Sequence, residues 1–439
     1  MNFSKELILG ILIMNSLLFA KNFSGNVRKE KLKNGVMLIH KYSSEMPIVS
    51  SLIFLKLGSI YETKKLSGIS HLLQTVIIKG TKNRTAEKIS EEIESVGGTI
   101  DSSSGYDFST LSCVVSKQHF ATSMELLSDV FYNPIFPEEE IEKEKNNTIA
   151  SIISRKDSIF DVASDCMMEN LYGAQHPYGW LEEGSIESVR KIKRNDLINF
   201  WKRFYGLDEK NNNLIFVVCG DIEFEVAKDM IEKYFPSFRN IKLPEIEYQI
   251  KSNFGLISKK EKFQQGYLMY GFLASELNSK TLKEYLSLKI LSNYLGGGMS
   301  GKLFLELREK NSLCYETSCI YPTRLLPAYF VIYLGLDSNR MSIAKEEIEK
   351  IISQLKNNVI SKQEVEDIKL KIKGRYLLDH QTTLRQGWYL GFWEIMGLGY
   401  EFDGKYLDEI YKITSKDVND TASKIFSQDR VVVEIIPKK

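Results

Sequence analysis

Residues 185–197 (SIESVRKIKRNDL) overlay residues 406–418 (YLDEIYKITSKDV) without a gap, at a constant offset of 221 residues. Ile186, Val189 and Ile192 fall on Leu407, Ile410 and Ile413, and Asp196 falls on Asp417. Each copy leads into a helix-like segment and then a β-rich run, at 214–218 and 431–436. A period of that length is a duplicated domain rather than a solenoid unit. The 439 residues also exceed what one hydrophobic core usually holds. Between the copies, residues 236–260 carry Pro236, Pro244, mixed charge and no sustained periodicity, which suits a linker. The expected fold class is therefore α+β: two homologous, duplicated α/β-sandwich lobes, 22–235 and 261–439, forming a clam-like cleft that offers a ligand site.

Local patterns agree with that class. Residues 48–57 are β-branched and apolar, and 67–79 carry apolar residues at helical spacing, so a strand precedes a helix. A second helix at 85–96 ends at Gly97-Gly98, ahead of an alternating stretch that runs to Val115. Fifty-eight basic residues against 57 acidic ones leave a net charge of +1, so no global field holds nucleic acid or an anionic bilayer. At the N-terminus a short polar start with one Lys precedes a mostly apolar run, 7–20. About fourteen residues at 1.5 Å each do not span a core of about 30 Å, so residues 1–20 read as a signal peptide cleaved after Ala20. The chain is expected to be exported, to a periplasm or beyond, with an uncleaved membrane-associated segment as the alternative. Cys113, Cys166, Cys219, Cys314 and Cys319 are odd in number and scattered, so mostly buried thiols are expected, although Cys314 and Cys319 could pair.

Residues 68–81 read GISHLLQTVIIKGT. Here the chain resembles the pitrilysin/insulinase family of zinc metallopeptidases, in which a helix carries His-x-x-Glu-His shortly before a Lys-Gly-Thr turn. Two His four apart share a helix face and bind one Zn²⁺, and the Glu between them activates the metal-bound water. This copy is degenerate. His71 keeps the first ligand position, but Gln74 stands where the general base belongs and Thr75 where the second His belongs. A carboxamide has no accessible pKa for taking a proton, and a hydroxyl is a poor zinc ligand beside imidazole. The family's further Glu ligand lies on a downstream helix resembled by 140–152, whose expected positions hold Ala150 and Ser151. His40, His119, His176 and His380 are dispersed and offer no substitute set, so this chain is expected to carry no metal of its own.

The second half keeps more. Residues 295–315 (LGGGMSGKLFLELREKNSLCY) resemble the family segment in which an Arg and a Tyr seven residues later hold substrate backbone and stabilise charge on the scissile carbonyl. Arg308 and Tyr315 match them; on the residues alone they read as an exposed helical Arg and a core aromatic. Residues 296–302 also fit part of a phosphate-binding loop, but Leu303 replaces the Mg²⁺-binding Ser or Thr and the segment follows a helix, which argues against nucleotide. Residues 97–113 resemble the family's substrate-pairing edge strand, with Asp101-Ser102 departing from its usual Asn-Ala. Within the family some paired enzymes place the zinc helix on one subunit and the Arg and Tyr on the other. The resemblance thus implies a heterodimer with a zinc-bearing paralogue acting on unfolded peptides, with Arg308 and Tyr315 working in trans and zinc in the partner. The alternative is a non-catalytic structural or peptide-binding subunit, like the respiratory-complex core proteins.

Overall fold

The computed structural model describes residues 27–357 and 359–438; the expected signal peptide lies outside them. The first half runs β1 (Val27–Lys31), β2 (Met37–Tyr42), β3 (Ile48–Leu55), α1 (Ile69–Ile77), α2 (Ala86–Glu94), β4 (Thr99–Ser104), β5 (Ser109–Ser116), α3 (Phe120–Tyr132), α4 (Glu138–Ser154), α5 (Ile159–Tyr172), α6 (Ile186–Lys191), α7 (Arg194–Phe204), β6 (Leu214–Gly220) and α8 (Phe224–Tyr234). The second half runs β7 (Gly255–Glu261), β8 (Gly266–Ala274), α9 (Leu282–Gly296), a π-helical turn (Phe304–Lys310), β9 (Cys314–Ile320), β10 (Ala328–Leu336), α10 (Met341–Leu355), α11 (Lys362–Asp379), α12 (Thr383–Ile395), α13 (Phe402–Lys412), α14 (Ser415–Phe426) and β11 (Val431–Pro437).

The duplication is plain in the sheets. The first has order β1-β2-β6-β3-β5-β4 and the second β7-β11-β8-β10-β9. In each, the last strand of its half lies between a parallel and an antiparallel neighbour, β6 between β2 and β3, and β11 between β7 and β8. The overlaid acids have one job in both copies. Asp196 Oδ2 accepts the Lys193 N–H at 2.8 Å and Asp417 Oδ2 accepts the Thr414 N–H at 2.9 Å, each at the third position of its helix, α7 or α14. A carboxylate there closes a capping box and meets the positive end of the helix dipole.

The two halves exchange a helix. α5 packs on β8 and β11 of the second sheet, while α12 packs on β3 and β6 of the first. These helices correspond in the duplication, so each lobe completes the other's core. Glycines make the approach possible: a Cβ on Gly391 of α12 would stand 2.1 Å from the Phe54 ring, and one on Gly271 of β8 2.2 Å from Met167 Sδ of α5. Gly391→Val is expected to cost about 3 kcal/mol, at the upper end of ordinary overpacking because Phe54 is itself wholly buried; urea unfolding of the variant checks this.

The connection between the halves is shorter than the sequence suggests. Residues 255–260, expected as linker, form most of strand β7 in the second sheet. The preceding stretch is strapped to the first lobe, with Lys251 N–H donating to Tyr172 O at 3.1 Å and Ser252 Oγ to Leu171 O at 2.6 Å. All five cysteines are free thiols, including Cys314 and Cys319 on β9.

Candidate functional site

Helix α1 starts at Gly68, whose φ of 90° is left-handed. The buried Glu62 carboxylate accepts the Gly68 and Ser70 N–H groups, each at 2.8 Å, which anchors the helix N-terminus. Leu72, Leu73, Val76 and Ile77 face the core and set the rotation of the helix. That rotation turns His71, Gln74 and Thr75 toward a cavity of about 390 Å³, shared with Ser102 to Ser104 of edge strand β4, Arg155, Glu182 and Glu183.

The three α1 side chains are together, but their bonding differs from a zinc site. Gln74 is 1% exposed. Its Oε1 accepts the Tyr205 hydroxyl at 3.2 Å and the Ser102 hydroxyl, while its Nε2 has no partner among the described residues. Two hydroxyls thus converge on this oxygen, an arrangement that would also serve a carboxylate. Thr75 donates its hydroxyl to Leu72 O at 3.0 Å, within its own helix. Burial lowers the His71 pKa, opposed by the charges of Glu183 and Glu144. Ala150 and Ser151 are exposed on α4 and do not line the cavity. No group of three or more His, Cys, Asp or Glu side chains suited to a metal ion occurs among the described residues. On α1 one imidazole, a carboxamide and a hydroxyl face the cavity, and Glu182 and Glu183 on its far side do not group with His71 as a ligand set, so the residues present do not fit the zinc that the fold implies.

Three of the other four histidines have structural partners. His40 Nε2 bonds Ile222 O at 2.8 Å, His176 Nδ1 accepts the Tyr178 N–H at 3.1 Å, and His380 Nε2 meets Asp403 Oδ1 at 3.0 Å.

Arg308 and Tyr315 meet elsewhere, on the outer edge of the second sheet. Arg308 Nη1 donates to Tyr315 O at 2.8 Å, its guanidinium lying 5.0 Å from the Phe304 ring centroid. Tyr315, 41% exposed, donates its hydroxyl to Gln265 Oε1 at 2.6 Å. Neither lines the His71 cavity.

Sequence reasoning missed the residues that face that region from other elements. A larger cavity of about 800 Å³ adjoins the first, sharing Tyr106, Arg155 and Leu181, and the second half contributes Arg324 and Tyr329 to its wall. Arg324, in the β9–β10 loop, reaches Asp107 Oδ2 at 3.7 Å and lies over Tyr106 and Tyr178, 4.6 and 5.4 Å from their ring centroids. Its setting, YPTRLLP, reads in sequence only as a proline-flanked loop. The adjacent acids Glu182 and Glu183 were the more accessible clue.

Burial, then the charge of Glu183, raises the Glu182 pKa from 4.5 to about 7. The raised folded-state value means the folded chain holds this proton more tightly than the unfolded one. Its stabilising effect is complete below about pH 4.5 and lost as pH rises through about 7. Glu182→Gln should therefore gain stability relative to the native chain between pH 4.5 and 7.5, measured as the difference between paired urea titrations.

Residues 37–177 match the family model described as Insulinase (Peptidase family M16), and 191–372 the one described as Peptidase M16 inactive domain. An uncharacterized zinc protease of Bacillus subtilis, YmxG, is 24% identical over 94% of this chain and 98% of its own length. A zinc protease of Helicobacter pylori, PqqE, is 22% identical over 87% of each chain. Among solved structures, a Helicobacter pylori protease superposes with a TM-score of 0.84 at 20% identity, covering 94% of this chain and all of that one. A peptidase M16 inactive domain from Pseudomonas fluorescens gives 0.85 at 19% identity, covering 94% and 98%. With two family models in tandem over a duplicated two-sheet fold, and a helix that still presents His71 to the cleft, this chain belongs to the pitrilysin/insulinase (M16) peptidase family.

Proposed function

We propose that this metallopeptidase-family chain lacks a zinc site of its own and serves as the substrate-binding half of an exported peptidase pair, supplying Arg308 and Tyr315 to the cleft of a zinc-bearing paralogue. The observation that carries the reading is the bonding on α1: Gln74 Oε1 is taken by two hydroxyls and Thr75 bonds its own backbone, leaving His71 as the one imidazole on that face. Arg308 and Tyr315 are exposed, chemically intact and held side by side. A guanidinium and a phenol are donors suited to an oxyanion in a closed cleft. To serve there, they exchange their present partners, Tyr315 O and Gln265 Oε1, for the substrate carbonyl. Unfolded peptides suit this role, because exposed edge strands bind main chain with little regard to sequence.

The test is zinc content and peptidase activity of the purified mature chain, alone and mixed with a zinc-helix paralogue from the same source. The expected result is no stoichiometric zinc and no cleavage alone, with strong stimulation of cleavage in the mixture. Metal-dependent cleavage by the chain alone would overturn the assignment of Gln74, Thr75 and Ser151. A mixture that assembles without gaining activity would leave a structural or peptide-binding subunit as the function.

A further inference from the structure

The second half contains its own cavity, of about 630 Å³, walled by α9, α11, α12 and α13. These helices are the duplicates of α1, α4, α5 and α6, so the cavity is the second lobe's counterpart of the space beside the degenerate zinc helix. Its chemistry is different. Trp388 and Phe392 stack nearly parallel, at 4.8 Å and 11°, on the α12 wall beside Tyr389. Across from them α9 presents Lys289, whose Nζ donates to Tyr321 O at 3.0 Å and so keeps two donors in hand. One turn along α9, Asn293 Oδ1 accepts Arg375 Nη1 at 2.9 Å, which fixes a second cation at the same wall.

Neither Lys289 nor Arg375 has an ion-pair partner among the described residues. The cavity's one carboxylate, Asp379, is engaged by Arg385 at 2.7 Å and by the Tyr389 hydroxyl. The lining thus combines flat aromatic surface with positive charge that no acid answers. A cavity of this size, mostly apolar with a few converging polar groups, is the usual form of a small-molecule site.

We propose that this cavity binds a small organic anion with a flat apolar body, its carboxylate or sulfonate held by Lys289 and Arg375 and its body lying against Trp388, Tyr389 and Phe392. Burial, together with the nearby Arg324 charge, pushes the Lys289 ammonium down to about 7, a cost that a bound anion offsets. Arg375 and the protonated form of Lys289 oppose a positively charged ligand, which sets this lining apart from an aromatic cage for ammonium groups. The site is independent of the partner role proposed above, since it uses neither Arg308 nor Tyr315.

The experiment is calorimetric titration of the full chain with 2-naphthoate and with its uncharged analogue 2-naphthamide. Naphthoate is expected to bind one per chain and at least about tenfold tighter than the amide. Lys289→Met and Arg375→Gln should each weaken naphthoate by about tenfold or more while leaving the amide unchanged. Equal affinity for acid and amide, no binding of naphthoate, or folded variants that retain full affinity would each overturn the site. Should Lys289→Met fail to fold, Arg375→Gln, at an exposed side chain, and the acid-to-amide ratio of the unmodified chain still decide the question.

Discussion

A chain carrying Arg308→Ala is expected to match the native chain in assembly with the proposed zinc-bearing partner, yet to lower kcat of the proposed mixed enzyme about 10²- to 10³-fold, the usual cost of removing one oxyanion donor. Folding should be almost untouched. Arg308 is exposed, and the one hydrogen bond its side chain makes among the described residues, to Tyr315 O, is a surface interaction whose loss costs about 1 kcal/mol or less. Tyr315→Phe should separate binding from chemistry further, because it removes the phenolic donor but keeps the ring packed against Gly335. Steady-state kinetics of the mixture, with assembly followed by gel filtration, provide the check. Full activity with Arg308→Ala would sink the proposed role in trans.

The second large effect concerns the latch between the lobes. Arg324→Met is expected to destabilise the fold by about 3–5 kcal/mol, because it leaves Asp107 as a buried charge without its cation. Asp107 is 3% exposed and already accepts the Tyr178 hydroxyl and, at 3.4 Å, the Leu325 N–H. Burial raises its pKa even with Arg324 present. In the variant the carboxyl can escape the penalty by taking a proton, so the loss should be greatest near pH 8 and shrink toward pH 5. Urea unfolding at both pH values checks the sign. A double variant with Asp107→Asn should recover much of the stability, since no unpaired charge then remains. Equal destabilisation by Arg324→Met at pH 5 and pH 8, or none, would show that the ion pair is not what joins the β9–β10 loop to the first lobe.

The same loop explains why a charge so central to the cleft is hard to see in sequence. Arg324 acts on residues more than 140 positions away, and Leu326 N–H reaches Tyr178 Oη at 3.3 Å by the same long route. Nothing in a local window reports such a partner. The cavity around Lys289 is similar, because its walls come from four helices, α9, α11, α12 and α13, that are far apart in sequence.

What the sequence by itself determined is the material with local causes. Helix α1 follows from apolar spacing, the equivalence of Asp196 and Asp417 from the 221-residue repeat, and the β-branched runs at β3, β6 and β11 from strand chemistry. The defect in the metal motif is equally local, since imidazole, carboxamide and hydroxyl differ in chemistry wherever they are placed. Tertiary structure alone decided that α5 and α12 change lobes, that residues 255–260 join a sheet rather than a linker, and that Ser151 faces solvent instead of His71. It also decided that Gln74 Oε1 is held by Tyr205 and Ser102. The reason is physical: periodicity shows that a helix has an apolar face, but not which sheet will cover it. Glycines at 271 and 391 leave the room that packing needs, since a Cβ at either would collide with the side chain that faces it.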